Sequence, residues 1–481
     1  MKSIRSTAVP GLAVVLAIAA AGVVVGQGAA QKSQESSSPM SDVRLMTVDP
    51  GHFHAALVQK EMYPGVATRV DVYAPLGADL YEHLKRIDGF NRRGASPTSW
   101  AVDVHASPDY FERMLAERPG TVVVLSGRNR SKIDRIVASV KAGLNVLADK
   151  PWILRSADLG KLEETLAEAD RSGVVAYDIM TERFEVTSIL QRALVNDPAV
   201  FGEMLKGTQG DPAVYMESVH FLMKTVAGAP LVRPVWFFDN TETEGLNDVG
   251  THLVDMVQWT LFPDQAIDYR RDIQVLAAQR WATPIDEAGF SRVTGERGFP
   301  AALAPAVKDG RFDYFCNTLV SYTLRGVHTK LNVIWDWEPA PGSGDTHYAF
   351  YKGSRATVEV RQTQADKLRP ELYVVPATAG ERRQVLAAVR ARVAALQKDF
   401  AGVAVEERAD AIHVAIPDTF RVGHEAHFAE VTREFLRMLR DRRALPAWER
   451  PNMLAKYFVS TKGTELSHQR PPAAASRIAP K

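Results

Sequence analysis

The segment TVVVLSG, Thr121–Gly127, limits the fold more than any other part of the chain. An unbroken apolar run that stops at Ser-Gly predicts a strand covered on both faces. It leads into a helix, SKIDRIVASVKAG, with Ser131 as a candidate cap and Gly143 as its stop. A second apolar run, LNVLA at 144–148, follows, then a helix in SADLGKLEETLAEADRSG and a strand in VVAYDIM. Upstream, VRLMTV (43–48) and TRVDVYA (68–74) read as strands, with a turn and a helix in the DPGHFHAALVQKEM between them. Strands alternating with helices give parallel βαβ units, so a doubly wound α/β domain is expected over residues 42–178.

From about residue 200 the pattern changes. Longer runs such as PVWFF, DIQVLAAQRW, FCNTLVSYTLRG and HTKLNVIWDW read as strands separated by turns. An α+β domain on a large, mostly antiparallel open sheet is expected over 179–467. The basic helix at 381–400 reads as amphipathic, its arginines on a solvated face and Val385, Val389, Val393 and Leu396 on the other. Residues 468–481 are polar and Pro/Ala-rich and are expected to be a disordered tail. At the other end, Lys2 and Arg5 precede an apolar run, Leu12–Gly26, and small residues follow near Ala30. Residues 1–30 are therefore expected to be a Sec-type signal peptide, with 31–41 a flexible linker and the mature protein periplasmic or secreted, without a stable membrane span. The run is followed by no cysteine and preceded by no Arg-Arg pair, so neither a lipid anchor nor the twin-arginine route is indicated.

Charge excludes some partners. With 58 basic and 57 acidic residues, bulk attraction to nucleic acid or a membrane surface is not expected. The one cysteine, Cys316, rules out an internal disulfide and a zinc ribbon, and the 12 histidines show no metal spacing with it, so no metal is expected.

Two segments carry candidate chemistry. In NVLADKPW, Lys150 stands at the carboxyl end of a parallel strand, where open α/β sheets bind ligands. A partly desolvated amine there is expected to have a lowered pKa and to donate to a substrate oxygen, with Pro151 holding the preceding residues extended. The plainer reading is a strand-ending turn with a surface lysine. In EGLNDVGTHLVDMVQW, Asp248, His252 and Asp255 fall on one helix face. The acid can orient while the imidazole moves protons; the plainer reading is a capped helix with a core histidine.

VLADKPW followed about a hundred residues later by GLNDVGTHLVDMVQW resembles the glucose–fructose oxidoreductase / inositol dehydrogenase (Gfo/Idh/MocA) family. The segment VVAYDIMTERFEVTSILQRALVNDPAVFG is similar to that family's crossing between domains, and the later sheet to a subgroup with an oxidoreductase-type C-terminal domain. The resemblance implies a Rossmann-like nucleotide domain and hydride transfer between NAD or NADP and a carbohydrate. Lys150 would polarise the reacting oxygen, His252 would move its proton, and Asp248 would hold a neighbouring hydroxyl. Asp49, Gly51, His52, Phe53, His54, Ser126, Asn129, Asp149, Lys150 and Pro151 would face the cofactor. Glu182, Arg183, His220 and Asn247 would face the substrate. A homo-oligomer is expected by the same analogy.

The chain departs from the family pattern at the nucleotide. DPGHFHAAL offers only Gly51 where three glycines are usual, the second strand ends Tyr73-Ala74-Pro75 without an acid, and Asp149 replaces a glutamate. An unfolded-chain export route would also leave the cofactor to be acquired outside the cytoplasm. A redox-neutral lyase or hydrolase on keto-sugars or glycosides, and a binding protein with a decayed nucleotide half, are the alternatives. Trp335 and Trp337, with Asp336, Glu338 and His347 nearby, read as an alternating strand ahead of a sugar platform. His424 and His427 read as structural.

Overall fold

Six short apolar strands build the first sheet. They are β1 (Leu45–Val48), β2 (Arg69–Ala74), β3 (Ala101–Ala106), β4 (Val122–Leu125), β5 (Asn145–Ala148) and β6 (Ala176–Asp178). All pairs are parallel and the order is β3-β2-β1-β4-β5-β6, so the order reverses beside β1 and leaves a crevice at the ends of β1 and β4. β1 and β4 are buried throughout, as their unbroken apolar runs require. The computed structural model describes residues 43–226 and 229–469; the leader and linker, and the tail from 470, lie outside them.

The connections are α1 (His54–Leu57), α2 (Ala78–Arg92), α3 (Tyr110–Glu117), α4 (Lys132–Lys141) and α5 (Leu159–Ser172). Gly143 has φ +75° and ends α4 as expected, whereas the Ser131 side chain makes no cap bond. The helix expected after β1 is a single turn. Its next carbonyls are taken from outside: Tyr63 Oη donates to Val58 O (2.9 Å) and Trp100 Nε1 to Gln59 O (2.6 Å). β3, which the sequence reading did not single out, is a half-exposed edge strand, AVDVHA, with little apolar signal.

After α6 (Val186–Val195) comes a second sheet of ten strands. These are β7 (Val214–Phe221), β10 (Ile273–Asp286), β11 (Val307–Lys308), β12 (Arg311–Leu324), β13 (Val327–Asp336), β14 (Thr346–Lys352), β15 (Ala356–Gln362), β16 (Glu371–Pro376), β17 (Ala404–Glu407) and β18 (Ile412–Ala415). A two-stranded ribbon, β8 (Thr225–Val226) with β9 (Ala229–Pro230), stands apart. The large sheet runs β10-β12-β13-β7-β14-β15-β16-β18-β17, with β11 on β12, and only β13–β7 is parallel. PVWFF is not a strand. Phe237 and Phe238 are both buried, which alternation forbids in a one-sided strand, and Val235–Phe238 forms a 3-10 turn instead.

Six helices accompany this sheet: α7 (Val249–Leu261), α8 (Tyr269–Asp272), α9 (Glu287–Thr294), α10 (Arg382–Leu396), α11 (His424–Arg440) and α12 (Glu449–His468). α10 buries Val385, Val389 and Val393 and turns Arg383 and Arg390 to solvent, as read from its pattern. The last two return to the first sheet. Phe428 and Phe435 of α11 share a core with Val122, Leu147 and Tyr177, while Met453 and Tyr457 of α12 pack with Val123 and Val146. Ala455 and Val459, on the other side of α12, join the core of the large sheet. The carboxyl ends of β1, β4 and β5 are thereby held against α7 and the large sheet. No helix among the described residues is long and apolar enough to cross a membrane.

Candidate active site

The segment after β5 is fixed from below. Lys132 Nζ donates to the carbonyls of Asp149 (3.0 Å) and Lys150 (3.3 Å) and to Asn129 Oδ1 (2.6 Å). Trp152 Nε1 donates to Ala148 O at 3.1 Å. Burial pulls the Lys132 amine down to about 8, with the Asp149 charge opposing. The Lys150–Pro151 peptide is cis. Asn129 also clamps the other half of the chain, its amide and side chain donating to Glu242 Oε2 (2.7 Å) and Glu242 O (2.8 Å).

Lys150 then enters the cleft and pairs with Asp248, the residue before α7. The amine at this strand end is expected to have a lowered pKa. Burial does push in that direction, but Asp248 and Asp149 more than offset it and raise the value, so Lys150 is a fixed cation. Asp248 is lowered in turn: burial raises it and Lys150 overrides that. One turn into α7, His252 faces the same space. Burial, then the Lys150 charge, bring its imidazole down to about 4, and Nδ1 has no hydrogen-bond partner among the described residues. A neutral imidazole beside an ammonium is a proton acceptor poised next to an oxygen-binding cation.

Both side chains line one cavity of about 750 Å³ between the sheets. Seven of the chain's 12 histidines line it. Glu182 and His220 reach it, as expected. Glu182 pairs with His424 Nδ1 (3.2 Å), which with His252 and His427 keeps its carboxylate well below the usual range although burial alone would raise it. His220 bonds Ser218 Oγ (2.8 Å) and lies 4.9 Å from the Trp335 ring, which forms part of the wall as well as of the core.

Other expectations are corrected. Arg183 does not reach the cavity: it is locked to Asp255 by two 2.6 Å bonds and to Glu449 at 2.8 Å. Asp255, one of the three residues expected on one face, is taken up by Arg183 and does not line the cavity. Asn247 is buried beneath the site, its carbonyl accepting from Thr251 Oγ1 at 2.8 Å. His424 and His427, read as structural, stand in the cavity wall. Arg233, Asp345 and His347 also line it and were not assigned to the site from sequence. They come from strand ends and turns, where a single charged residue carries no periodic signal.

Of the expected cofactor residues, Asp49, Gly51, His52 and Phe53 border a second groove of about 420 Å³ beside β1 and β2, and His54 faces the larger cavity. Ser126 and Asp149 sit below, Ser126 Oγ donating to Asp149 Oδ2 at 3.0 Å. Asn129, Asp149, Lys150 and Pro151 border a small recess of about 20 Å³ between the two.

A model of the family described as "Putative oxidoreductase C terminal domain" matches residues 190–468. A crystal structure of a "putative oxidoreductase" from Parabacteroides merdae ATCC 43184 is 45% identical, covering 89% of this chain and 98% of that one, with a TM-score of 0.86. The chain belongs to the Gfo/Idh/MocA oxidoreductases. GenD2 from gentamicin A biosynthesis, crystallised with NAD, shares the fold at 14% identity and TM-score 0.54, over 92% of this chain and 97% of that one. So does a "putative myo-inositol dehydrogenase" from Sinorhizobium meliloti 1021, at 13% identity and TM-score 0.51, over 89% and 98%. No curated protein matches the chain by sequence.

In this oxidoreductase the nucleotide crevice is built unusually. The amides of Gly51 and His52 are already bonded to Asp49 O (2.7 Å) and Ser126 O (3.1 Å), and α1 is one turn long. Side chains take over. Arg128 reaches across the groove to Asp49 (2.8 Å) and Asp79 (2.7 Å). A Cβ on Gly51 would meet Trp236 Nε1 at 2.8 Å, and that indole N–H is buried without a partner among the described residues. A bare glycine facing an orphaned donor, with an arginine alongside, suits a diphosphate bound by side chains. Asp71 is spent on Arg44 (2.7 Å) and His105 (3.0 Å) within the sheet and does not border the groove.

Proposed function

We propose that this enzyme moves hydride between NAD(P) and a carbon bearing a hydroxyl or carbonyl group on a sugar or sugar-like polyol. One observation carries the reading: Lys150, a fixed cation, and His252, a neutral base, come from the two halves of the fold and line one cavity. A nicotinamide cofactor would accept or deliver the hydride when bound. Gly51, Phe53, Arg128 and Trp236 would hold it along the groove beside β1 and β2, and His52 borders both groove and cavity. Lys150 holds the substrate oxygen and stabilises its alkoxide character. His252 takes that oxygen's proton in the oxidising direction and returns it in the other. Asp248 keeps Lys150 charged and has a second oxygen for a neighbouring hydroxyl. Trp335 offers an apolar face and Glu182 an acceptor, the pairing that sugars need.

Export through the leader at residues 1–30 and association into a homo-oligomer belong to the same proposal. A redox-neutral lyase or hydrolase is the second reading, favoured by the internally bonded amides of Gly51 and His52. One experiment separates them. The purified protein is denatured and released nucleotide is sought by mass spectrometry, while sugars are screened for NAD(P)H absorbance change and for cleavage products. Hydride transfer predicts a sugar-dependent absorbance change that Lys150→Ala and His252→Ala abolish. Sugar breakdown at constant absorbance would overturn it in favour of the second reading.

A further inference from the structure

One carboxylate oxygen at the cavity floor gathers more partners than a simple ion pair needs. Asp149 Oδ2 lies 2.8 Å from His54 Nδ1, 3.4 Å from His52 Nδ1 and 3.0 Å from Ser126 Oγ. One ligand atom from each of His52, His54 and Asp149 can be chosen so that all lie within 4.8 Å of one another. The two rings stand edge to face with centroids 4.0 Å apart. We propose that His52, His54 and Asp149 bind one first-row divalent transition-metal ion of the Zn²⁺ or Co²⁺ type.

The donor chemistry supports this. Two imidazoles and one carboxylate with positions left open form the ligand set of catalytic Zn²⁺ sites and of facial-triad sites. Bonds of about 2.0–2.2 Å bring the three donors together after small side-chain rotations. Asp149 Oδ1 accepts the Lys150 amide N–H (3.0 Å), and with Ser126 on Oδ2 this orients the carboxylate as outer partners orient a ligand. His52 Nδ1 is buried and has no hydrogen-bond partner among the described residues, although such groups nearly always find one. A plain His54–Asp149 pair would leave that nitrogen with a 3.4 Å approach to Asp149 Oδ2 and no hydrogen bond. Both histidines line the larger cavity with Lys150, so the open positions face the space where a substrate oxygen would sit. Mg²⁺ and Ca²⁺, which prefer all-oxygen shells, do not suit the set. The site stands on its own three residues and does not depend on hydride transfer.

The test is direct binding to the full chain. Protein stripped with a chelator is titrated with Zn²⁺, Co²⁺ and Mg²⁺ by calorimetry, with bound metal counted by mass spectrometry. One Zn²⁺ or Co²⁺ per chain is expected, with a visible Co²⁺ absorption, and no Mg²⁺ uptake. His54→Ala and Asp149→Asn should weaken Zn²⁺ by more than about a hundredfold, the upper range for loss of even an outer partner. His52→Ala, at a partly exposed residue and checked for folding by circular dichroism, should do the same. His328→Ala, which borders neither cavity, should bind as the parent does. Absence of stoichiometric uptake by the parent, or unchanged affinity in folded His52→Ala, overturns the site.

Discussion

α7 serves two buried charge clusters, and they behave differently. On one side His252 and the preceding Asp248 meet Lys150 in an open cavity. Three residues on, Asp255 joins Arg183, Glu449, Lys456 and Asp178, with Lys456 Nζ 2.6 Å from Asp178 and 3.3 Å from Asp255. None of those five lines either cavity. The sealed cluster ties α12 to both halves and is a matter of folding. The open one keeps a charge and a base facing space that a ligand can fill. Burial alone therefore does not mark function; burial beside a cavity does.

The comparison can be broken most sharply on its open side. Lys150→Ala and His252→Ala should each lower turnover by about 10²–10⁴-fold, the range for a positioned acid or base, while the melting temperature changes little. If either variant instead unfolds with its activity per folded molecule intact, the two clusters are alike. On the sealed side, Asp255→Asn leaves Arg183 and Lys456 with one carboxylate fewer. It should destabilise by about 3–5 kcal/mol, as for a half-broken pair that no cavity opens to water, read from urea unfolding, without changing the pH profile of the folded enzyme.

The pH dependence sharpens the contrast further. Burial brings His252, His347 and His427 each down to about 4. An unfolded histidine titrates near 6.5, so between these values the unfolded chain binds more protons. Stability should then fall as pH drops from about 6.5 toward 4, and hold above that window. Melting temperatures across that range check the sign; a flat profile would mean the imidazoles are not buried as described. Smallest of all, Trp335→Leu should raise KM a few-fold, about 1 kcal/mol for a lost stacking face, with kcat nearly kept.

Much of this was legible in the sequence, for reasons that can be named. The parallel sheet followed from runs such as Val122–Leu125, whose burial on both faces leaves no polar interruption. Lys150, Asp248 and His252 were found because a strand end and a helical spacing each put chemistry in a fixed place. Helical spacing also misled: Asp248 precedes α7, and Asp255 turns to Arg183. Arg183 and Glu182 are adjacent in sequence yet face opposite ways, a choice made by a 3-10 turn, Thr181–Phe184. His424 and His427 read as structural from sequence because α11 reaches the cavity only through tertiary packing. The His52–Asp149 approach spans 97 positions, and no local pattern announces it.

The central claim, that Lys150 and His252 serve one space, can be tested before any substrate is known. Histidine-labelled protein is titrated by nuclear magnetic resonance, and the His252 ring is followed in the parent and in Lys150→Met. With the ammonium present the imidazole should titrate at about 4; with it removed, and Asp248 left uncompensated, the value should rise. A His252 titration indifferent to residue 150 would place the two side chains in separate environments and contradict the account.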